Sequence, residues 1–429
     1  MPTPASHPQH IVEPDRRRQN RKVPTVLELQ LIETLSDLEC LGRQLAGESV
    51  LAIDTEADSL HHYFPKVCLI QVSTNEHTFV IDPLAVQTMG VLRPLLGSQK
   101  IKKVFHGADY DLRSLFRDFS IKVENLFDTM VASQFIGERE LSLAVVLNKR
   151  FGILISKKYQ RADWSKRPLS PEMLLYAAHD TAHLIRLYRE LERELRFKGR
   201  LSWVEEECER LSVECTLGGN SESTPYLASG QKHGRSLSHL IPSEAPPVKS
   251  PLFRRFKGYG KMEARDLAIL EELLLFRERR AMHEDRPPFR LFAKHVIREL
   301  VRIKPTDRKA LRKVPGLPAD FMKRYAEGVL KAIRLGVEVP ANRLPSFPKR
   351  RLPSPDSEKR ARLKRLKGWR QQKARELELE PGVLCNNALL EALADAHPKD
   401  PDELRAVPRM RNWQRKTFGH EIVDVLQGI

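Results

Sequence analysis

Ser49-Val-Leu-Ala-Ile-Asp54-Thr55-Glu56 is an apolar, partly β-branched run that ends on two carboxylates. Such a run reads as a strand. Side chains alternate across a strand, so Asp54 and Glu56 point to the same face. Two carboxylates placed together repel, and each raises the pKa of the other. A hard divalent cation relieves that conflict, because magnesium favours a few carboxylates plus waters. Alone, an Asp-x-Glu pair more often marks a solvated strand end, so further ligands have to come from elsewhere in the chain.

Outward from this strand, Val67-Cys-Leu-Ile-Gln-Val-Ser73 and Thr78-Phe-Val-Ile-Asp82 are two more apolar runs with turn residues between them, and Lys103-Val-Phe-His106 is a shorter one. Helical periods follow at Leu141 to Leu147 and at Pro171 to Leu195, the second opened by Ser170-Pro171 as cap and first-turn proline. A strand meander followed by alternating helices and strands predicts an α/β domain with a mixed sheet and flanking helices.

Two later segments offer acids. In His106-Gly107-Ala108-Asp109-Tyr110-Asp111-Leu112 a short strand runs into a small-residue turn and then a helix start. Asp111 precedes the apolar positions Leu112, Leu115 and Phe116 and is favoured as a ligand, with Asp109 left as a helix cap or surface residue. In Tyr176-Ala-Ala-His179-Asp180, positions i and i+4 share a helix face, so Tyr176 and Asp180 point the same way and His179 points aside. By itself Tyr176 also fits a core aromatic. Four acids at one strand end, one helix start and one helix face suit a site that holds two divalent ions for phosphoryl transfer.

Composition narrows the alternatives. Lys and Arg number 73 against 56 Asp and Glu, a net charge of +17 that favours polyanionic partners. The five cysteines are scattered, with no C-x-x-C pair, which suits a reducing cytoplasm and argues against a disulfide framework or a thiolate zinc site. No apolar run approaches the roughly 18 residues of a membrane span. The first residues carry Arg16, Arg17, Arg18, Arg21 and Lys22 without an apolar core, so they read as a disordered basic arm, not a signal peptide.

The C-terminal half contains a diverged duplication. Arg277-Glu-Arg-Arg280-Ala281 is matched by Arg370-Gln-Gln-Lys373-Ala374, and Asp307-Arg-Lys-Ala-Leu311-Arg312-Lys-Val314-Pro315 by Asp402-Glu-Leu404-Arg405-Ala-Val407-Pro408. From the hinge into the second copy, residues 341–376 hold 13 Lys and Arg against 3 Asp and Glu, a density able to neutralise phosphates.

The three acidic motifs, in this order, resemble those of the DEDD exonucleases and, among them, the ribonuclease D family. Tyr159-Gln-Arg-Ala-Asp163-Trp164-Ser-Lys-Arg167-Pro168-Leu169-Ser170 resembles the stretch that precedes the last motif in that family. Tyr176, four residues before Asp180, marks the tyrosine subtype. The segment Ala281-Met-His-Glu-Asp285-Arg286-Pro287-Pro288-Phe289-Arg290, with Val314-Pro315-Gly316-Leu317 after it, resembles an HRDC domain. The second copy departs from it at Met410-Arg411-Asn412-Trp413 but is similar to the second HRDC domain of ribonuclease D.

The resemblance implies a ribonuclease H-like α/β exonuclease domain followed by two all-α HRDC bundles. The division expected is a disordered basic arm at 1–24, the exonuclease domain at 25–200, a helix end and flexible linker at 201–258, the first HRDC domain at 259–338, a basic proline-rich hinge at 339–357 and a second HRDC-like domain at 358–429. It also implies two divalent ions, Mg²⁺ or Mn²⁺, held by Asp54, Glu56, Asp111 and Asp180. Asp54 would bridge the ions, Glu56 and Asp180 would complete one site, and Asp111 would support the other through water. Tyr176 would orient the attacking water. The implied activity is 3′→5′ hydrolysis of RNA with a free 3′ end, tRNA precursors included. A 3′→5′ DNA exonuclease and a non-catalytic nucleic-acid binder are the competing readings.

Overall fold

The computed structural model describes residues 29–217, 250–345 and 357–428. The basic arm, residues 218–249 of the expected linker and residues 346–356 of the expected hinge lie outside them.

Six strands form one sheet: β1 (Leu29–Ile32), β2 (Val50–Ala57), β3 (Val67–Ser73), β4 (Thr78–Ile81), β5 (Lys102–Phe105) and β6 (Leu126–Asp128), in the order β1-β4-β3-β2-β5-β6. The central pairs β2–β3 and β3–β4 are antiparallel, whereas β1–β4, β2–β5 and β5–β6 are parallel. The mixed sheet is therefore as expected. The short outer strands β1 and β6 are additions that their few residues do not announce.

The helices of this domain are α1 (Leu35–Leu45), α2 (Pro83–Val86), α3 (Leu92–Leu96), α4 (Asp109–Phe119), α5 (Thr129–Ile136), α6 (Leu143–Phe151), α7 (Pro171–Ala182), α8 (Leu184–Phe197) and α9 (Leu201–Leu217). Ser170 caps α7 through a hydrogen bond from Met173 N, as its sequence predicts. The periodic run does not continue unbroken to Leu195: it turns at His183, so α7 covers β2, β3 and β4 while α8 crosses to α5 and β5. Helix α9 packs on α4 and β6, which carries the packed α/β unit to the end of the first described segment.

The first helical domain comprises α10 (Ala264–His283), α11 (Pro288–Leu291), α12 (Lys294–Ile303), α13 (Arg308–Leu311), α14 (Phe321–Arg324) and α15 (Ala326–Glu338). Its core is its own: Leu270, Leu273, Ile297, Leu300, Phe321 and Val329 are buried together, joined by Leu252, Phe253 and Phe256 from just before α10. The second comprises α16 (Ser357–Glu376), α17 (Pro381–Leu384), α18 (Asn387–Ala396) and α19 (Asn412–Gln427). It does not stand alone. Leu366, Leu390, Trp413 and Ile422 belong to the same continuous buried cluster as Ile53, Val104, Phe135 and Trp203 of the α/β domain.

Candidate active site

Strand β2 presents Asp54 and Glu56 to the face covered by α7, where Tyr176 and Asp180 lie one turn apart. One carboxylate oxygen from each of Asp54, Glu56 and Asp180 lies within 4.8 Å of the others. Asp111 stands beside this triad, not in it. It lies in the first turn of α4, is buried, and its Oδ1 accepts a 2.5 Å hydrogen bond from Thr55 Oγ1. The residue between the two strand acids thus anchors the fourth acid, a role that nothing in the Asp-x-Glu pattern reveals.

The electrostatics are those of buried carboxylates that repel one another. Burial pushes the Asp54 carboxyl well above its ordinary range, and the charges of Asp111, Asp180 and Glu56 add to the rise. Glu56 rises through burial and through Asp180 and Asp111. Burial lifts Asp111 and Asp180 each to about 7. The phenol of Tyr176 is raised by burial and then by Asp180, Glu56 and Asp54, so it keeps its proton at neutral pH.

The segment before α7 closes round this tyrosine. The Tyr159 ring meets Tyr176 edge-on at 5.8 Å, and the buried Trp164 lies at 6.0 Å, tilted by 31°. His179 points aside, its Nδ1 lying 2.6 Å from the Leu175 carbonyl.

Asp109 is no helix cap. It is exposed and pairs with Arg113 one turn on. The turn is held instead by Asp128, whose buried carboxylate accepts from Gly107 N and Ala108 N and also caps α5 through Met130 N and Val131 N. One side chain from the end of β6 therefore fixes the approach to Asp111. His106 is structural too: its ring nitrogens meet Thr129 Oγ1 and the Leu141 carbonyl, and burial lowers its pKa.

Hard oxygen donors gathered on one face, with carboxyls driven upward by burial and by each other, fit divalent cations such as Mg²⁺ or Mn²⁺. Gln71 sits opposite Asp54 in the β2–β3 register, fully buried, with neither amide atom partnered among the described residues. A buried amide without a partner costs free energy. An amide beside a hydrated ion or its carboxylate gains one.

The first helical domain reaches this site through the loop after β2. Asp285, at the end of α10, accepts from Tyr63 N at 3.0 Å and Phe64 N at 3.3 Å, and its Oδ2 lies 2.7 Å from His62 Nδ1. The other ring nitrogen of His62 lies 3.1 Å from Ser165 Oγ in the segment that closes on Tyr176.

Known proteins agree with this architecture. The 3′-5′ exonuclease family matches residues 29–196, and the HRDC domain matches residues 266–333 and 359–426. Ribonuclease D of Bartonella henselae is 26 % identical over 405 residues, covering 93 % of this chain and 90 % of that protein. Protein RRP6-like 3 of Arabidopsis thaliana is 43 % identical over 166 residues, 38 % of this chain, which spans only 19 % of that longer protein. The crystal structure of Escherichia coli RNase D shares the fold, with a TM-score of 0.65 at 21 % identity over 94 % of this chain and 99 % of that one. The chain thus carries a 3′-5′ exonuclease domain followed by two HRDC domains, and ribonuclease D relatives run nearly end to end with it.

Proposed function

We propose that the protein is a metal-dependent 3′→5′ exoribonuclease that removes terminal nucleotides from structured RNA, tRNA precursors included, in the cytoplasm. The observation that carries this reading is the convergence of Asp54, Glu56 and Asp180 within 4.8 Å, with Tyr176 one helical turn before Asp180. Asp54, Glu56 and Asp180 would hold one divalent ion, with Asp54 shared and Asp111 supporting a second. Two such ions, when bound, stabilise the attacking and leaving oxygens of an in-line displacement. Tyr176 keeps its proton, so its part is to orient the attacking water by a hydrogen bond, not to act as a base. Water then attacks the terminal phosphorus and the 3′ oxygen of the preceding nucleotide leaves.

RNA recognition away from the site has support in α16, where Arg360, Lys364, Lys367 and Arg375 are exposed along one helix face with Gln371 between them. No helix among the described residues is long and apolar enough to cross a membrane. All five cysteines are free, as a reducing compartment favours.

The test uses 5′-labelled and 3′-labelled oligonucleotides, as RNA and as DNA, with Mg²⁺, Mn²⁺ or EDTA. The expected result is stepwise shortening of 5′-labelled RNA and immediate release of the 3′ label as a mononucleotide, both abolished by EDTA. Degradation of DNA with RNA left intact would replace this reading by a DNA exonuclease. No metal-dependent cleavage of either would leave a binding protein.

A further inference from the structure

Arg167 uses every donor it has. A guanidinium carries five N–H groups in a fixed fork. Here Nε and Nη2 grip the Asp82 carboxylate at 2.6 and 2.8 Å, Nη2 also reaches the Cys68 carbonyl at 3.0 Å, and Nη1 reaches the carbonyls of Trp164 at 2.7 Å and Lys166 at 2.8 Å. Asp82 is itself fixed: it is buried at the end of β4 and caps α2 through Leu84 N and Ala85 N. Cys68 belongs to β3, the neighbour of the strand that carries Asp54 and Glu56.

These bonds join two bodies. On one side is the sheet, through Asp82 and Cys68. On the other is the segment that runs from Tyr159 to the Ser170 cap of α7 and packs Tyr159 and Trp164 round Tyr176. Trp164 is anchored at its backbone by Arg167, and its ring lies in a small buried cluster with Leu69, Ala177 and Ala178 that Tyr176 flanks. A lysine would keep the charge yet could not bridge a carboxylate side-on while holding three carbonyls. Simple retention of a loop would need fewer bonds than five, and none of them aimed at the residue that touches Tyr176.

We propose that Arg167 is a positioning residue for hydrolysis: it ties the Tyr159–Ser170 segment to β3 and β4 and thereby sets the angle at which Trp164 holds Tyr176 over the acidic cluster. This rests on the reading that Tyr176 orients the attacking water.

The experiment is a double-mutant cycle on the full chain with Mn²⁺, built from Arg167→Lys and Tyr176→Phe, with Asp82→Asn as a second, milder way to loosen the same grip. Saturating Mn²⁺ and a short RNA oligomer give kcat and KM for each variant. Acrylamide quenching of tryptophan emission follows Trp164, with Trp164→Phe in the Arg167→Lys background as its control.

Arg167→Lys is expected to lower kcat on the order of tenfold, leave KM and the Mn²⁺ concentration for half activity unchanged, and expose a quenchable component that Trp164→Phe removes. Asp82→Asn should do the same to a smaller extent. In the Tyr176→Phe background Arg167→Lys should cost nothing further, because the residue through which it acts is gone. Equal losses in both backgrounds would overturn the proposal while leaving Tyr176 in place. Unchanged kcat in both Arg167→Lys and Asp82→Asn would do so as well. Full activity in Tyr176→Phe alone would remove the reading of Tyr176, and Arg167 with it.

Discussion

Trp203 stacks on Trp413 across the junction of the nuclease domain and the second HRDC domain, with ring centroids 4.5 Å apart and planes 20° apart. Phe135 and Phe418 meet both indoles edge-on. Glu206 caps the start of α19 through Asn412 N and Trp413 N, and Glu207 accepts from Trp413 Nε1 and Arg411 Nε. The nuclease and the second HRDC domain therefore form one packed unit, whereas the first HRDC domain has a core of its own.

Trp413→Ala should accordingly cost about 3–5 kcal/mol. Urea unfolding of the parent should show the nuclease and second HRDC domain melting together. The variant should separate them into two transitions. A loss below about 1 kcal/mol, with one transition retained, would mean that the two domains merely touch.

Asp54→Asn should abolish turnover and leave RNA affinity within a few-fold of the parent. It removes the acid that the other three all press upon, and it leaves the exposed basic face of α16 untouched. Single-turnover cleavage and filter binding on the same RNA separate the two effects. Turnover within tenfold of the parent would remove Asp54 from the site.

The metal-free protein should gain stability as pH falls. The folded-state carboxyls of Asp111 and Asp180 stand at about 7 through burial, above their unfolded values. Between about pH 4 and 7 the folded protein thus binds more protons than the unfolded chain, and stability declines as pH rises through that window. Divalent ions compete with those protons, so the gain in melting temperature from Mn²⁺ over EDTA should be small near pH 5 and large near pH 8. An equal Mn²⁺ shift at both would contradict the cluster.

Replacing Arg360, Lys364, Lys367 and Arg375 together by Gln should reduce the slope of log affinity against log salt by roughly 2 to 4 units. These side chains form no ion pair among the described residues, and they share one helix face at intervals of four, three and eight residues, the last being about two helical turns. An unchanged slope would make this face a solvated surface only. Substitution is the informative route: deleting α16 to α19 would strip the shared core from Phe135 and Trp203.

Much of the nuclease was legible because its signals are local. Strand alternation put Asp54 and Glu56 on one face, helical spacing put Tyr176 with Asp180, and Ser170-Pro171 marked the start of α7. What stayed hidden depends on partners distant in sequence. Thr55 holding Asp111, Asp128 holding the turn at Gly107, and Arg167 holding Asp82 join segments that no short pattern connects. The shared core with the second HRDC domain was hidden for the same reason: an amphipathic helix announces that it packs, but not against what.

The contact between Asp285 and the β2–β3 loop carries the last prediction. That loop begins just after Glu56, and Asp285 holds it from another domain through two backbone amides and the His62 ring. Asp285 has φ of 43°, a left-handed conformation that costs of order 1 kcal/mol for a residue with a side chain. Asp285→Ala should free the loop, raise amide exchange at Tyr63 and Phe64, and slow kcat roughly threefold to tenfold on short RNA, the cost of one or two hydrogen bonds to a charged group. Asp285→Asn retains an oxygen for the two amides and should keep most of the rate. If exchange rises while kcat holds, the contact joins the domains without steadying the acids. If both variants lose the rate equally, the His62 bond outweighs the backbone ones.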